Sequence, residues 1–185
     1  LSTMNETKKL RVALFFGGVS SEHEVSCVSA STWLRALAQA PCADRYEVFP
    51  VGITKQGRWL ACSPTPEAMA DGSWEKGADC TPCVLSPDRT DHGIWLLKDG
   101  KAELVHIDIC APVMHGKNGE DGTIQGLFEL ARIPYVGCGV LGSAVCMDKA
   151  VANTIMDAAG VPHCKWASAI RAELEGDHKT LLDSI

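Results

Sequence analysis

The sequence has no uninterrupted apolar segment that approaches the roughly 20 residues needed to cross a bilayer. Its polar opening, LSTMNETKK, lacks the apolar region of a secretory signal. It also has no run of basic residues, and 17 Lys and Arg against 23 Asp and Glu leave a net charge of −6. Because nucleic-acid-binding surfaces are usually basic, we expect a cytoplasmic protein that binds neither membranes nor nucleic acids.

The cysteine pattern lacks the features of a disulfide framework or a zinc site. Nine cysteines, an odd number, are spread over 185 residues, unlike the dense, even-numbered sets of small secreted domains. Cys80-Thr-Pro-Cys83 is a lone CxxC, and a structural zinc site would need further Cys or His ligands at suitable spacing. The sequence therefore predicts free thiols and a chance pair at this CxxC.

What the sequence does contain is a pattern of alternating strands and helices. Lys9–Phe16 (KLRVALFF) is a short β-rich run that ends at a glycine pair, and a helical pattern follows. Tyr46–Thr54 (YEVFPVGIT) is the next strand, with Pro50 expected at an edge, a bulge or the strand end. Such a βαβ unit predicts parallel strands. We therefore predict an α/β fold, a parallel-rich open sheet with helices on both faces.

Most of the chemistry-bearing side chains lie in one glycine-rich loop, Ala111–Gly126 (APVMHGKNGEDGTIQG). It holds His115, Lys117, Glu120 and Asp121 between an apolar strand pattern and a helical one. This order places the loop at the carboxyl end of a strand, where open α/β sheets bind ligands. For Asp121 alone we favour a structural role at the start of the following helix. The four residues together indicate a site.

The glycine turn after the first strand, GGVSSEHEVS, carries a second candidate. The residues from Ser21 to Glu24 match a capping box, in which Glu24 reaches back to the Ser21 amide. That interpretation leaves Glu22 free at the first helical position, facing the space above the sheet. The alternative, a surface acid that only complements the helix dipole, is equally supported.

Two further features lie near the end of the chain. GCGVLG, residues 137–142, matches GxGxxG, but a dinucleotide site needs a full strand before it and a strand ending in an acid after its helix. We interpret its glycines as a tight turn between a short strand and a helix. Lys149 stands near a predicted helix start, where a cation is unfavourable for the dipole, and a nearby phosphate would account for it.

Several of these segments, in this order, resemble the D-alanine–D-alanine ligase family. They are FFGGVSSEHEVS, GITKQGRW, MHGKNGEDGTIQGLFELARIPYVGCGVLGSAVCMDK and the following AGVP. The resemblance covers roughly residues 10–167, and the HGKNGEDG form is similar to the vancomycin-resistance ligases that join D-alanine to D-lactate or D-serine.

The resemblance implies an ATP-grasp enzyme of peptidoglycan precursor synthesis. It implies that ATP phosphorylates the first D-alanine, that a second D-alanine, D-serine or D-lactate attacks the acylphosphate, and that Mg²⁺ neutralises the phosphates. By motif, Glu22 would bind the ammonium group of the first D-alanine, and His115 would lie beside that substrate with Glu120 as its supporting partner. Lys149 would contact the ATP phosphates. The expected assembly is a homodimer.

Members of the family continue well beyond this sequence. We therefore expect a disordered tail over residues 1–9, a first-substrate domain over 10–147, and the start of a central ATP-grasp domain over 148–185. The magnesium ligands are expected outside this chain, which alone should be inactive. The alternative is a non-catalytic small-molecule-binding or regulatory module that retains the fold.

Overall fold

The computed structural model describes residues 8–175, and seven strands of this part form one mixed sheet. The strands are β1 (Leu10–Gly17), β2 (Tyr46–Ile53), β3 (Trp59–Ala61), β4 (Thr81–Leu85), β5 (Gly93–Lys98), β6 (Lys101–His106) and β7 (Ile109–Pro112). The spatial order is β6-β5-β4-β3-β2-β1-β7.

Four of the helices in this part of the chain lie between the strands in sequence, and the other four follow the last strand. The helices are α1 (His23–Leu37), α2 (Cys42–Arg45), α3 (Pro66–Ala70), a 3₁₀ helix (Ser73–Lys76), α4 (Thr123–Ala131), α5 (Val140–Met147), α6 (Lys149–Ala158) and α7 (Arg171–Leu174). No helix within residues 8–175 is both long and apolar enough to cross a membrane.

The α/β class is confirmed, but the sheet is less parallel than predicted. β1 pairs in parallel with β2 and β7, and these are the two parallel pairings; the four pairings from β2 to β6 are antiparallel. A parallel neighbour requires a long crossover connection, which α1 supplies between β1 and β2. The β2–β3 and β5–β6 connections are short turns, so those strands return antiparallel.

Strand β1 lies at the centre of the core because its side chains alternate between two buried faces. Leu14 and Phe16 point to the side covered by α1, and Phe15 points to the side covered by α4. The Phe15 ring lies 5.2 Å from that of Phe128 in α4. Helices on both faces are therefore confirmed, and the ends of β1 and β7 between them are rigidly held.

Pro50 lies inside an internal strand, not at the edge, bulge or strand end that we predicted. β2 pairs with β1 along its full length, whereas β3 pairs only with the last three residues of β2. The Pro50 carbonyl accepts a hydrogen bond from the amide of Cys62, just after β3. Pro50 therefore lies where the pairing with β3 stops. Its lack of an N–H group removes at most one hydrogen bond from the end of that ladder.

Candidate active site

Two loops meet at one edge of the sheet, because β1 and β7 are parallel neighbours and both end there. The β1–α1 loop carries Glu22, and the β7–α4 loop carries His115 and Gly116. The carboxylate of Glu22 lies against Gly116, where an added Cβ would stand 2.5 Å from Oε2 of Glu22. The structure therefore brings together the two loops that the sequence singled out.

A buried serine fastens the two strand ends to α1. The hydroxyl of Ser26 accepts a hydrogen bond from the Gly17 amide at 2.8 Å and donates one to the Val113 carbonyl. Ser26 is fully buried. Ser26 was not predicted as a functional residue. The feature that marks it in the sequence is a polar side chain on the sheet-facing side of a helix that follows a strand and a glycine turn.

Helix α1 begins one residue later than the capping box requires. Its first residue is His23, and Glu22 stands at the N-cap without a capping hydrogen bond from its side chain. The amide of Glu22 donates to the hydroxyl of Ser20 at 3.0 Å. Glu24 does not reach back to Ser21, because its carboxylate pairs with Lys55 in the β2–β3 turn. The capping-box prediction is therefore wrong, although Glu22 is exposed, as that interpretation required.

The Glu24–Lys55 pair is electrostatically coupled. The hydrogen bond from the ammonium of Lys55 holds the pKa of Glu24 below its usual value, and the same bond raises the pKa of Lys55. Both groups are fully exposed to solvent, which screens such pairs. The pair ties the β2–β3 turn to the start of α1.

His115 lies between two polar partners. Its Nε2 atom is 3.1 Å from the hydroxyl of Ser29 in α1, and its Nδ1 atom is 3.7 Å from Oε1 of Glu120. The first distance is a hydrogen bond, and the second is too long for one. The other oxygen of Glu120 accepts from the Gly116 amide at 2.7 Å. Glu120 therefore orders the loop and also faces His115. Sequence analysis missed Ser29.

The Ser29–His115–Glu120 order is that of a hydrolase triad, but its surroundings do not match one. Ser29 lies within α1, where neighbouring amides are committed to helical hydrogen bonds and are not free to stabilise an oxyanion. Glu120 is not within hydrogen-bonding distance of the imidazole. The arrangement can instead hold the His115 ring in one orientation.

Asp121 has the structural role that we favoured. Its two carboxylate oxygens accept from the amides of Asn118 at 2.9 Å and Thr123 at 3.0 Å, at the start of α4. Partial burial acts to raise the pKa of Asp121, but these hydrogen bonds outweigh it, and the pKa is lowered. Asp121 therefore differs in role from the other three candidate residues of this loop, His115, Lys117 and Glu120.

The exposed cleft beside Glu22 has a volume of about 560 Å³ and a mixed lining. Its charged members are Glu22, Lys55 and Lys117, and Met147 at the end of α5 closes one side. A carboxylate with adjacent cations suits a zwitterionic small molecule, since its ammonium group can meet Glu22 and its carboxylate can meet a lysine.

Lys149 is the first residue of α6, but its ammonium group is directed away from the start of that helix, toward the end of α5. Nζ donates to the Cys146 carbonyl at 3.0 Å, near the end of α5, where a cation is favourable. Asp148 caps α6 by accepting from the amides of Ala150 and Val151. The electrostatic argument for a phosphate beside Lys149 is therefore removed, and only the resemblance supports that role.

The remaining motif predictions concern glycines and metals. Gly137 has a φ of +118° and Gly139 is the N-cap of α5, so these two glycines form the predicted turn into a helix, whereas Gly142 lies within α5. Cys80 and Cys83 pack on opposite faces of the sheet, so the CxxC thiols do not converge on one ion. Within residues 8–175, no group of three or more His, Cys, Asp and Glu side chains is placed to hold a metal.

Comparisons with known proteins identify a family. Residues 11–138 match the family described as D-ala D-ala ligase N-terminus. The chain is 49% identical over 154 residues to a D-alanine–D-alanine ligase from Caldicellulosiruptor bescii, covering 83% of the chain and 40% of that protein. It is 46% identical to a putative D-alanine–D-lactate ligase from Streptomyces coelicolor, covering 83% of the chain and 41% of that protein.

Solved structures give the same result. The VanG D-Ala:D-Ser ligase from Enterococcus faecalis matches with a TM-score of 0.81 and 35% identity, over 96% of this chain and 50% of that one. The D-alanine–D-alanine ligase from Coxiella burnetii matches with a TM-score of 0.79 and 32% identity. The chain thus spans about half the length, or less, of the relatives it matches.

Proposed function

The chain belongs to the D-ala D-ala ligase N-terminus family, and we propose that it supplies the first-substrate site of an ATP-dependent ligase. That enzyme joins D-alanine to a second D-alanine, D-serine or D-lactate through an acylphosphate, for peptidoglycan precursor synthesis. The observation that carries the proposal is the exposed carboxylate of Glu22, held against Gly116 where the β1–α1 and β7–α4 loops meet. The printed names of the relatives support the substrate class.

In this proposal, Glu22 binds the ammonium group of the first D-alanine. A carboxylate at a helix N-cap has its backbone fixed by the helix, and a charge-assisted hydrogen bond to an ammonium group is strong. His115 lies beside the same substrate, with one ring nitrogen hydrogen-bonded to Ser29 and the other facing Glu120 at 3.7 Å. Lys117 lines the same cleft and gives it positive charge for the substrate carboxylate, whereas the ammonium of Lys55 already pairs with Glu24.

ATP would supply the phosphoryl group that activates the first carboxylate, and Lys149 would contact its phosphates. The lysine is exposed, and its one described bond is to a carbonyl, so its ammonium group keeps capacity for a phosphate oxygen. Mg²⁺ would be bound by residues outside 8–175, because no group of three or more His, Cys, Asp and Glu side chains in this range is placed to hold a metal.

The remaining parts of the proposal concern organisation. Residues 10–147 form the first-substrate domain, and residues 148–185 begin a central ATP-grasp domain. The complete enzyme is proposed to be a cytoplasmic homodimer. The 185-residue chain alone should release neither phosphate nor dipeptide from ATP, Mg²⁺ and D-alanine.

The test is Glu22→Gln in a complete ligase that contains this segment. Losing one charge-assisted contact should weaken use of the first D-alanine by about 1.5–3 kcal/mol, roughly ten- to a hundredfold, with little change in the KM for ATP. The matched control is Glu67→Gln, which changes an exposed, ion-paired carboxylate outside the cleft, where it bonds to Arg35. Unchanged D-alanine kinetics in Glu22→Gln would remove Glu22 from the site. D-alanine binding without turnover by the complete wild-type protein would favour the non-catalytic module.

A further inference from the structure

Two cysteines outside the proposed site, Cys62 and Cys80, lie just beyond the paired ends of β3 and β4. β3 and β4 pair antiparallel, with Leu60 opposite Pro82 and Ala61 opposite Thr81. Continuing this register places Cys62 opposite Cys80. The next two residues also lie close together, because the Ser63 amide donates to the side chain of Asp79 at 2.6 Å.

The hydrogen bonds show which kind of cross-strand pair this is. The Cys62 amide donates to the Pro50 carbonyl on β2, so it points away from β4. Cys62 and Cys80 therefore occupy a non-hydrogen-bonded position, where opposed Cα atoms are about 4.5 Å apart. A disulfide requires Cα atoms about 4.4–6.8 Å apart. The backbone spacing thus suits a bridge without rearrangement of the strands.

Both thiols also point to the same side of the sheet. Cys62 belongs to the core cluster under α1, and Cys80 packs against that same cluster. Cys83 belongs to the cluster on the opposite face. The hydrogen bond from the Cys80 thiol to the Trp74 carbonyl holds its side chain at the rim of this core.

The two thiols differ in their access to solvent. Cys62 is 6% exposed, whereas Cys80 is partly exposed. Burial raises the pKa of both thiols, which keeps them protonated and slow to react. A reagent from solvent should therefore reach Cys80 first, and Cys62 should act as the resolving thiol.

We propose that Cys62 and Cys80 form an oxidisable pair, which closes to a cross-strand disulfide by exchange with a low-molecular-weight disulfide. The Cys80 thiolate, after losing its proton to solvent, attacks one sulfur of the reagent and releases one small thiol. Cys62 then loses its proton and attacks the Cys80 sulfur of the mixed disulfide, releasing the second small thiol. The protein loses two hydrogens, and the reagent is reduced to two thiols.

The disulfide would link the two ends of the segment that connects β3 to β4, which contains α3 and the 3₁₀ helix. Trp74 of that 3₁₀ helix packs on Phe16 at 4.8 Å between ring centroids. Glu75, the next residue, faces the imidazole of His23 at 3.8 Å, at the start of α1. Oxidation should therefore fasten the segment that packs behind the β1–α1 loop.

The experiment exposes the folded 185-residue chain to oxidised glutathione, blocks free thiols with an alkylating agent, and analyses the protein by intact and peptide mass spectrometry. We expect a species lighter by two hydrogens, a linked peptide pair containing Cys62 and Cys80, and a higher melting temperature. Reduction with dithiothreitol should restore the original mass and melting temperature.

The variants separate this pair from the other thiols. Cys62→Ala and Cys62→Ser should both lose the bridge and stop at a glutathione adduct on Cys80, and two substitutions guard against one failing to fold. Cys83→Ala should still form the bridge, because Cys83 lies on the other face. A bridge between Cys80 and Cys83, a persistent mixed disulfide on Cys80 in the wild-type chain, or no reaction of Cys80 in the folded chain would overturn the proposal.

Discussion

The carboxylate of Glu22 occupies the space that a side chain at residue 116 would need. A Cβ added to Gly116 would stand 2.5 Å from Oε2 of Glu22 and 2.8 Å from the hydroxyl of Ser20. Gly116 also has a φ of +67°, a conformation that other residues adopt only with strain. The position of the proposed ammonium-binding carboxylate therefore depends on the absence of one methyl group in a separate loop.

Gly116→Ala should move Glu22 and weaken use of the first substrate. We expect a stability loss of about 1 kcal/mol from the backbone conformation and a larger fall in kcat/KM for D-alanine in the complete ligase. Gly160→Ala is the matched control, since Gly160 has a φ of +66° and an added Cβ would meet nothing within 4 Å. If both variants lose only the same stability, the contact with Glu22 has no functional role.

Ser26→Ala should destabilise the fold. It leaves the Gly17 amide and the Val113 carbonyl without their hydrogen-bond partner in a buried position. An unsatisfied buried group costs about 1–3 kcal/mol, which denaturant unfolding of the 185-residue chain will measure. Ser21→Ala, at an exposed position of the preceding loop, should change the unfolding free energy by less than about 0.5 kcal/mol. Equal stability of the two variants would contradict the role given to Ser26.

The local elements of this fold could be predicted from the sequence because strong local signals mark them. Asp99-Gly100 between apolar runs predicted the β5–β6 hairpin, and both residues have positive φ as such a turn requires. The parallel pairing of β1 with β2 followed from the helix between them. The position of Pro50 could not be predicted, because it depends on where β3 ends, a fact about another strand.

The candidate site was predicted only in part for the same reason. Glu22 and His115 were found because charged side chains follow strands in glycine-rich loops. Ser29 was missed because its contact with His115 joins residues that are 86 positions apart. Lys149 was interpreted from its place at a helix start, but its bond partner belongs to the end of the preceding helix. Local sequence patterns are thus enough to locate the loops of the candidate site, but the hydrogen-bond partners of its side chains depend on the tertiary structure.

Asp121 should stabilise the protein in a pH-dependent way. Its folded-state pKa is lowered, because hydrogen bonds from Asn118 and Thr123 outweigh the opposing effect of burial. A lowered folded pKa gives stability that is present above the unfolded value of about 3.9 and is lost as the pH falls through the folded value. Asp121→Ala should therefore be less stable than wild type at pH 7, by about 1 kcal/mol for the lost hydrogen bonds, and the difference should shrink below about pH 4.

The measurement is urea unfolding of both proteins between neutral and acid pH. Asp121→Asn is the control, because asparagine keeps a carbonyl acceptor but does not titrate. It should recover part of the stability at neutral pH and should match wild type more closely in acid. A difference between wild type and Asp121→Ala that stays constant across this range would show that the charge of Asp121 contributes nothing.

Lys149→Ala tests the role of this lysine that now rests on family resemblance alone. Its exposed hydrogen bond to the Cys146 carbonyl is a surface contact, so its loss should lower the unfolding free energy by less than about 0.5 kcal/mol. In a complete ligase, the same change should raise the KM for ATP and leave the KM for D-alanine little affected. The reason is that alanine removes the ammonium charge that would neutralise the ATP phosphates. Lys101→Ala, on the exposed β5–β6 hairpin, should change neither. A Lys149→Ala enzyme that melts several degrees lower with ATP kinetics intact would make Lys149 a structural residue that joins the end of α5 to the start of α6.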